Sequence, residues 1–189
     1  MTSNHAGHYN TNVSWAGKRI CWCVFGVLMA GCSLAQPPAA RVFGYKVVRT
    51  YPHDTEAYTQ GLVYQNGFLY EGTGLNGRSG IRRVNLATGK VLQKLDLDPQ
   101  YFGEGITLWR DKLIQLTWQS RIGFVYDRRT FRLLETFVYR TEGWGLTHDG
   151  KRLIQSDGTA TLYFFDPQTL KETGQIQVTD RGQPKEHAQ

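Results

Sequence analysis

The sequence predicts an all-β fold, on three observations. The chain repeats itself beyond residue 41. Each repeat holds four short strand-like runs. Turn pairs such as Asn66-Gly67 and Asp149-Gly150 separate those runs, and helical periodicity is absent. Aligning Gly61, Gly105 and Gly145 superimposes "GLVYQNGFLYEGTG", "GITLWRDKLIQLTW" and "GLTHDGKRLIQSDG", with spacings of 44 and 40 residues. Four short strands at a period of about 40–45 residues is the signature of a β-propeller blade, and about three blades are predicted. A β-sandwich of irregular hairpins is the alternative.

Each unit opens on a strand that begins at the aligned glycine and ends in a tight turn, at Asn66-Gly67, Arg110-Asp111 or Asp149-Gly150. Asn-Gly and Asp-Gly favour the positive φ angles of two-residue hairpins. The second strands are "FLYEG", "KLIQL" and "RLIQS". The third and fourth are "IRRVNL" and "VLQKLDL", then "IGFVYD" and "LLETFVY", then "TLYFFD" and "ETGQIQV". Asp127 and Asp166 hold the same joint in two repeats, with Asn85 nearby in the first, and all three read as turn formers. "VFGYKVVRTY", residues 42–51, reads as a further strand that would close a last blade.

The N-terminal residues form a different segment. Lys18 and Arg19 precede the apolar run "ICWCVFGVLMAG", too short to span a bilayer, and residues 1–35 read as an export signal. "LMAGCS" resembles a lipobox ending before Cys32, which would then carry lipid; "SLAQ" alternatively permits ordinary cleavage after Ala35. Either route places the mature chain beyond the inner membrane, soluble in the periplasm or anchored by lipid. A buried N-terminal helix is the competing reading. Residues 36–41 form a linker, 42–184 the partial propeller, and 185–189 a divergent tail.

All three cysteines lie at or before position 32, so a domain beginning after them has neither an internal disulfide nor thiolate chemistry. Setting Lys18 and Arg19 aside lowers the net charge from +6 to +4, and the remaining basic residues are scattered. That speaks against nucleic acid as a partner, which requires a clustered basic stripe. No serine–histidine–acid arrangement, phosphate loop or metal-ligand spacing is visible in the sequence. His53 and Asp54 read as a turn or a blade-closing contact, His148 as a turn residue and His187 as part of the tail.

"TQG", "FGEG" and "GWG" occupy one column of the repeat and place Gln60, Glu104 and Trp144 at the entrance of three successive inner strands. Inner strands of a propeller line its central channel, so these side chains are expected to converge at one mouth of it. An amide, a carboxylate and an indole together suit a pocket with oriented polar groups and an aromatic wall. Side chains that merely plug the channel are the alternative. The flanking glycines, Gly61, Gly103, Gly105, Gly143 and Gly145, are expected to allow close backbone approach and unusual dihedrals.

"YPHDTEAYTQGLVY", "LYEGTGLNGRSGIRRVNLATGKV", "YFGEGITL", "LIQLTWQSRIGFVYD", "EGWGLTHDG" and "SDGTATLYFFDPQTL" resemble the plant and bacterial glutaminyl-peptide cyclotransferases over residues 45–184. The resemblance implies a five-bladed β-propeller that converts N-terminal glutamine of peptides or proteins to pyroglutamate with release of ammonia, using no cofactor or metal. It assigns Glu104 as general acid/base and Gln60 to the substrate pocket. Trp118, Trp144 and Phe102 become pocket walls, Tyr58 stands where the family often has phenylalanine, and Glu142 is a secondary polar group that binds substrate.

The family pattern runs on past "DRGQP" to an asparagine, a tryptophan and a lysine expected in the site, whereas here "KEHAQ" follows. The chain is therefore expected to be C-terminally shortened, poorly soluble and of little or no activity by itself; a full-length form is expected to be monomeric. A non-catalytic exported propeller that serves as a binding scaffold is the other function class left open.

Overall fold

The computed structural model describes residues 41–185; the segment read as an export signal, with Cys32, and His187 lie outside them. Three antiparallel four-stranded sheets follow one another along the chain. The first is β1 (Thr59–Gln65), β2 (Phe68–Thr73), β3 (Gly80–Asn85) and β4 (Val91–Asp96). The second is β5 (Gly103–Trp109), β6 (Lys112–Thr117), β7 (Ile122–Asp127) and β8 (Leu133–Val138). The third is β9 (Leu146–His148), β10 (Leu153–Ser156), β11 (Thr161–Phe165) and β12 (Glu172–Gln177). Each sheet is a simple meander with its strands in sequence order, as in the blades of a propeller.

Alternation along the strands explains how the blades stack, because successive side chains leave opposite faces of a sheet. In β6, Leu113 packs with Tyr70 and Ile81 of the first sheet, while its neighbour Ile114 packs with Leu153 and Phe165 of the third. Leu108 and Trp109 of β5 divide in the same way, as do Tyr126 and Val125 of β7. The middle blade is thus apolar on both faces, and each fully buried Leu or Ile contributes about 1.5–3 kcal/mol. β5, flanked by β1 and β9, is buried along its whole length, whereas the outer strands β4, β8 and β12 are largely exposed.

The joint between the third and fourth strands repeats at atomic level. Asn85, Asp127 and Asp166 each accept hydrogen bonds at Oδ1 from the backbone N–H and hydroxyl of a threonine three residues on. The next residue, Gly89, Phe131 or Leu170, has positive φ. Only glycine adopts that conformation freely. Phe131 and Leu170 accept the strain because their side chains fill the two inter-blade cores. In the first blade the glycine leaves room for Pro52.

Two expectations about these elements require correction, and one element is additional. Residues 42–51 form no strand, and Val42, Phe43, Tyr45 and Val48 are almost fully exposed. A strand persists only where a ladder partner satisfies its N–H and C=O groups, and among the described residues none lies beside this segment. His148 ends β9 rather than sitting in the turn. A short hairpin, β13 (Thr179–Asp180) with β14 (Gln183–Pro184), was not anticipated; Arg181 and Gly182 at its tip both have positive φ, as a type I′ turn requires.

Gly61, Gly103, Gly105, Gly143 and Gly145 are absent from the positive-φ residues, so what they provide is close approach and not the left-handed conformation. A Cβ on Gly61 would lie 2.6 Å from the backbone N of Ile106, and one on Gly105 would collide with the Trp144 carbonyl and lie 2.7 Å from the N of Leu146. Gly105→Ala should therefore destabilise the fold by about 1–3 kcal/mol, read from the urea midpoint, because backbone must move on both sides. An unchanged midpoint would show that the inner strands have slack.

Candidate active site

Gln60 and Glu104 sit in β-bulges at equivalent places. The β1–β2 register shifts between Thr59 and Gly61, and the β5–β6 register shifts between Gly103 and Ile106. A bulge adds a residue to one strand and re-aims its side chain. Here it leaves Gln60 and Glu104 without a partner residue across the ladder. Trp144 lies two residues before β9, and its carbonyl accepts the Gly105 N–H at 2.8 Å. That bond ties the entrance of the third blade to the inner strand of the second.

The three side chains converge as expected. With Tyr58, Phe102, Trp118 and Gly145 they line one open pocket of about 450 Å³. The apolar wall is a chain of edge-to-face contacts: Tyr58 meets Phe102 at 6.1 Å between centroids, and Phe102 meets Trp118 at 5.7 Å. Such pairs add about 0.5–1.5 kcal/mol beyond the area they bury. Tyr58 remains 52% exposed at the rim. Trp144 packs against Gly158, where a Cβ would come within 2.9 Å of the indole.

Glu142 departs from the expectation. It does not line the pocket. Its Oε2 accepts the indole N–H of Trp118 at 2.6 Å and that of Trp144 at 3.1 Å. These bonds hold its carboxyl below the usual range, the Trp144 bond contributing most.

Glu104 is the chemically distinctive group. It is 9% exposed, and burial pushes its pKa from 4.5 to about 7. The Gln60 amide pulls the other way, and the negative charge of Glu142 adds to the rise. A carboxyl poised there is present in both protonation states near neutral pH and can take up and return a proton without a large driving force.

A family model described as glutamine cyclotransferase matches residues 22–188. The chain belongs to the glutamine cyclotransferase family. It is 48% identical over 135 residues to a glutaminyl-peptide cyclotransferase of Arabidopsis thaliana, covering 70% of this chain and 42% of that protein. The crystal structure of Myxococcus xanthus glutaminyl cyclase aligns with a TM-score of 0.68 at 34% identity, over 75% of this chain and 60% of that one. The chain thus spans less than half of the Arabidopsis relative. The WD40 domain of Neurospora crassa Pan2 aligns with a TM-score of 0.53 at 10% identity, covering 63% of this chain and 36% of that one, a likeness of fold alone.

In this cyclotransferase-family chain, the supports beneath the pocket escaped the sequence reading. Ser79 Oγ accepts the Gly103 N–H at 2.9 Å and donates to the Leu75 carbonyl, pinning the backbone next to Glu104 to the first blade. Glu71, Gln115 and Gln155 occupy one column of the second strands, in "YEG", "IQL" and "IQS", and all three are buried. Gln115 donates across the blade boundary to the Gly80 carbonyl, and Gln155 to the Glu142 carbonyl at 3.0 Å. A polar residue recurring amid apolar neighbours was the available signal.

Proposed function

We propose that this chain carries the glutamine-cyclising site of a glutaminyl-peptide cyclotransferase, exported to the cell envelope, with Cys32 as a candidate lipid attachment point. The observation that carries the reading is Glu104, buried among aromatic rings with a pKa near 7 beside Gln60. The substrate holds both reactants: its α-amine nitrogen attacks its own side-chain amide carbon. A ring N–C bond forms, the bond from that carbon to the amide nitrogen breaks, and ammonia leaves. The amine must lose a proton and the departing nitrogen must gain one, and one carboxyl near both can carry it. The remaining requirement is to hold the folded-back conformer, for which effective molarity is the dominant advantage. Trp118, Trp144 and Phe102 offer faces for the glutamine methylenes, and Gln60 offers an amide to orient the polar end.

Two measurements on the purified chain test this. Peptides beginning with Gln, Asn or Ala, and a Gln peptide with an acetylated amine, are scored for tryptophan quenching and for ammonia release. Selective quenching or turnover with the free Gln peptide alone is expected, with turnover below that of a longer family member. Equal response to all four peptides, or none to any, would sink the assignment.

A further inference from the structure

We propose that Glu142 is a positioning residue that locks Trp118 and Trp144 into one rigid wall by accepting both indole N–H groups on a single carboxylate oxygen. The inference rests on the cyclotransferase reading for its purpose but not for its geometry.

Neither tryptophan is fixed by a strand. Trp118 follows the end of β6, and Trp144 lies in the irregular stretch before β9. The Trp118 backbone is held at both ends, its N–H bonding to the Phe102 carbonyl at 3.0 Å and its own carbonyl accepting the Gly143 N–H at 3.1 Å. Those bonds place the Cα atoms and leave ring rotation free. An indole has one polar atom, a donor. Directing both donors to one oxygen fixes both rings with one side chain, and bonds to a charged acceptor are the stronger kind. The anchor is itself held from below, since buried Gln155 donates to the Glu142 carbonyl. Phe102 on one side and Gly158 on the other complete the seating of the two rings.

The charges that bear on this carboxylate and its neighbour are few. Arg121 bears on Glu142, Glu142 bears on Glu104, and Glu104 bears on Tyr139. Glu142 therefore also supports proton retention on Glu104.

Indole N–H resonances of Trp118 and Trp144 provide a reading that does not depend on turnover. Both should move through one common acid step, and both should lose that step in Glu142→Gln and Glu142→Ala. If either resonance keeps its position and titration in the variants, the shared anchor is disproved. Glu142→Ala should also weaken quenching by a Gln peptide and lower kcat by up to about 10²-fold, as misplacement by an ångström can. Glu142→Gln should recover part of that loss and shift the Glu104 limb of the pH profile to lower pH. Loss of resonance coupling with unchanged peptide quenching would leave the clamp intact as geometry and overturn its positioning role. Absence of any Gln selectivity in the parent chain would count against the cyclotransferase reading alone.

Discussion

In a longer family member, the substitution matching Glu104→Gln should reduce ammonia release from a Gln-initiated peptide about 10²–10⁴-fold, the usual contribution of a positioned acid or base. In this chain, Glu104→Gln should remove whatever turnover the proposed site retains. Peptide quenching should persist, because the amide keeps the size of the carboxyl and the aromatic wall is untouched. A scaffold without catalysis predicts no turnover to lose.

The same substitution should affect stability with the opposite sign. The carboxyl titrates near 4.5 when unfolded and near 7 in the fold, so between those values the native state holds a proton that the unfolded state has released. Stability therefore falls as pH rises through that window. At about 1.4 kcal/mol per pH unit, the full penalty above neutrality reaches about 3 kcal/mol. Glu104→Gln carries no ionisable group and escapes it. Urea midpoints of parent and variant should coincide at pH 4 and diverge at pH 8, the variant being the more stable. Parallel midpoints across the range would mean that Glu104 is not desolvated, and its role as proton carrier would lose its basis.

Glu71→Ala should cost about 3–5 kcal/mol, the range found when one partner of a buried ion pair is removed. Glu71 is 1% exposed and faces Arg82 directly across the β2–β3 ladder. Its carboxylate accepts Arg82 Nε at 2.8 Å and the Thr59 hydroxyl at 2.5 Å, and it lies 2.8 Å from His53 Nε2. Arg82 is itself buried, with a further bond of 2.9 Å from Nη1 to Asp54. Deleting Glu71 leaves a guanidinium in the interior with one partner. It also releases the segment that leads from His53 through Tyr58 to Gln60, so the pocket rim should loosen together with the blade. Urea denaturation measures the first effect and the Tyr58–Phe102 contact reports the second. Less than about 1 kcal/mol would show that the interior there is wet enough to solvate Arg82.

The His53 contact shows how far local reading extends. "YPHD" offered a turn or a blade-closing contact, and the structure contains the turn, in which Asp54 Oδ1 accepts the Glu56 N–H at 3.0 Å, together with a contact inside the first blade, where His53 reaches Glu71 eighteen residues on. The turn follows from the aspartate alone. The histidine's partner follows from the route the backbone takes over the first blade.

The repeat determined most of what the sequence could determine. Strand order, hairpin positions and the column holding Gln60, Glu104 and Trp144 all follow from local pattern, because strand period and turn chemistry act over a few residues. Tertiary structure decided the remainder. That Glu142 accepts both indole N–H groups, that Ser79 holds Gly103, and that burial moves Glu104 to about 7 all depend on groups from different blades meeting in three dimensions. Residues 42–51 show the same division. Their apolar character suits a strand, but a strand exists only when another backbone lies alongside, and no local pattern can supply that partner.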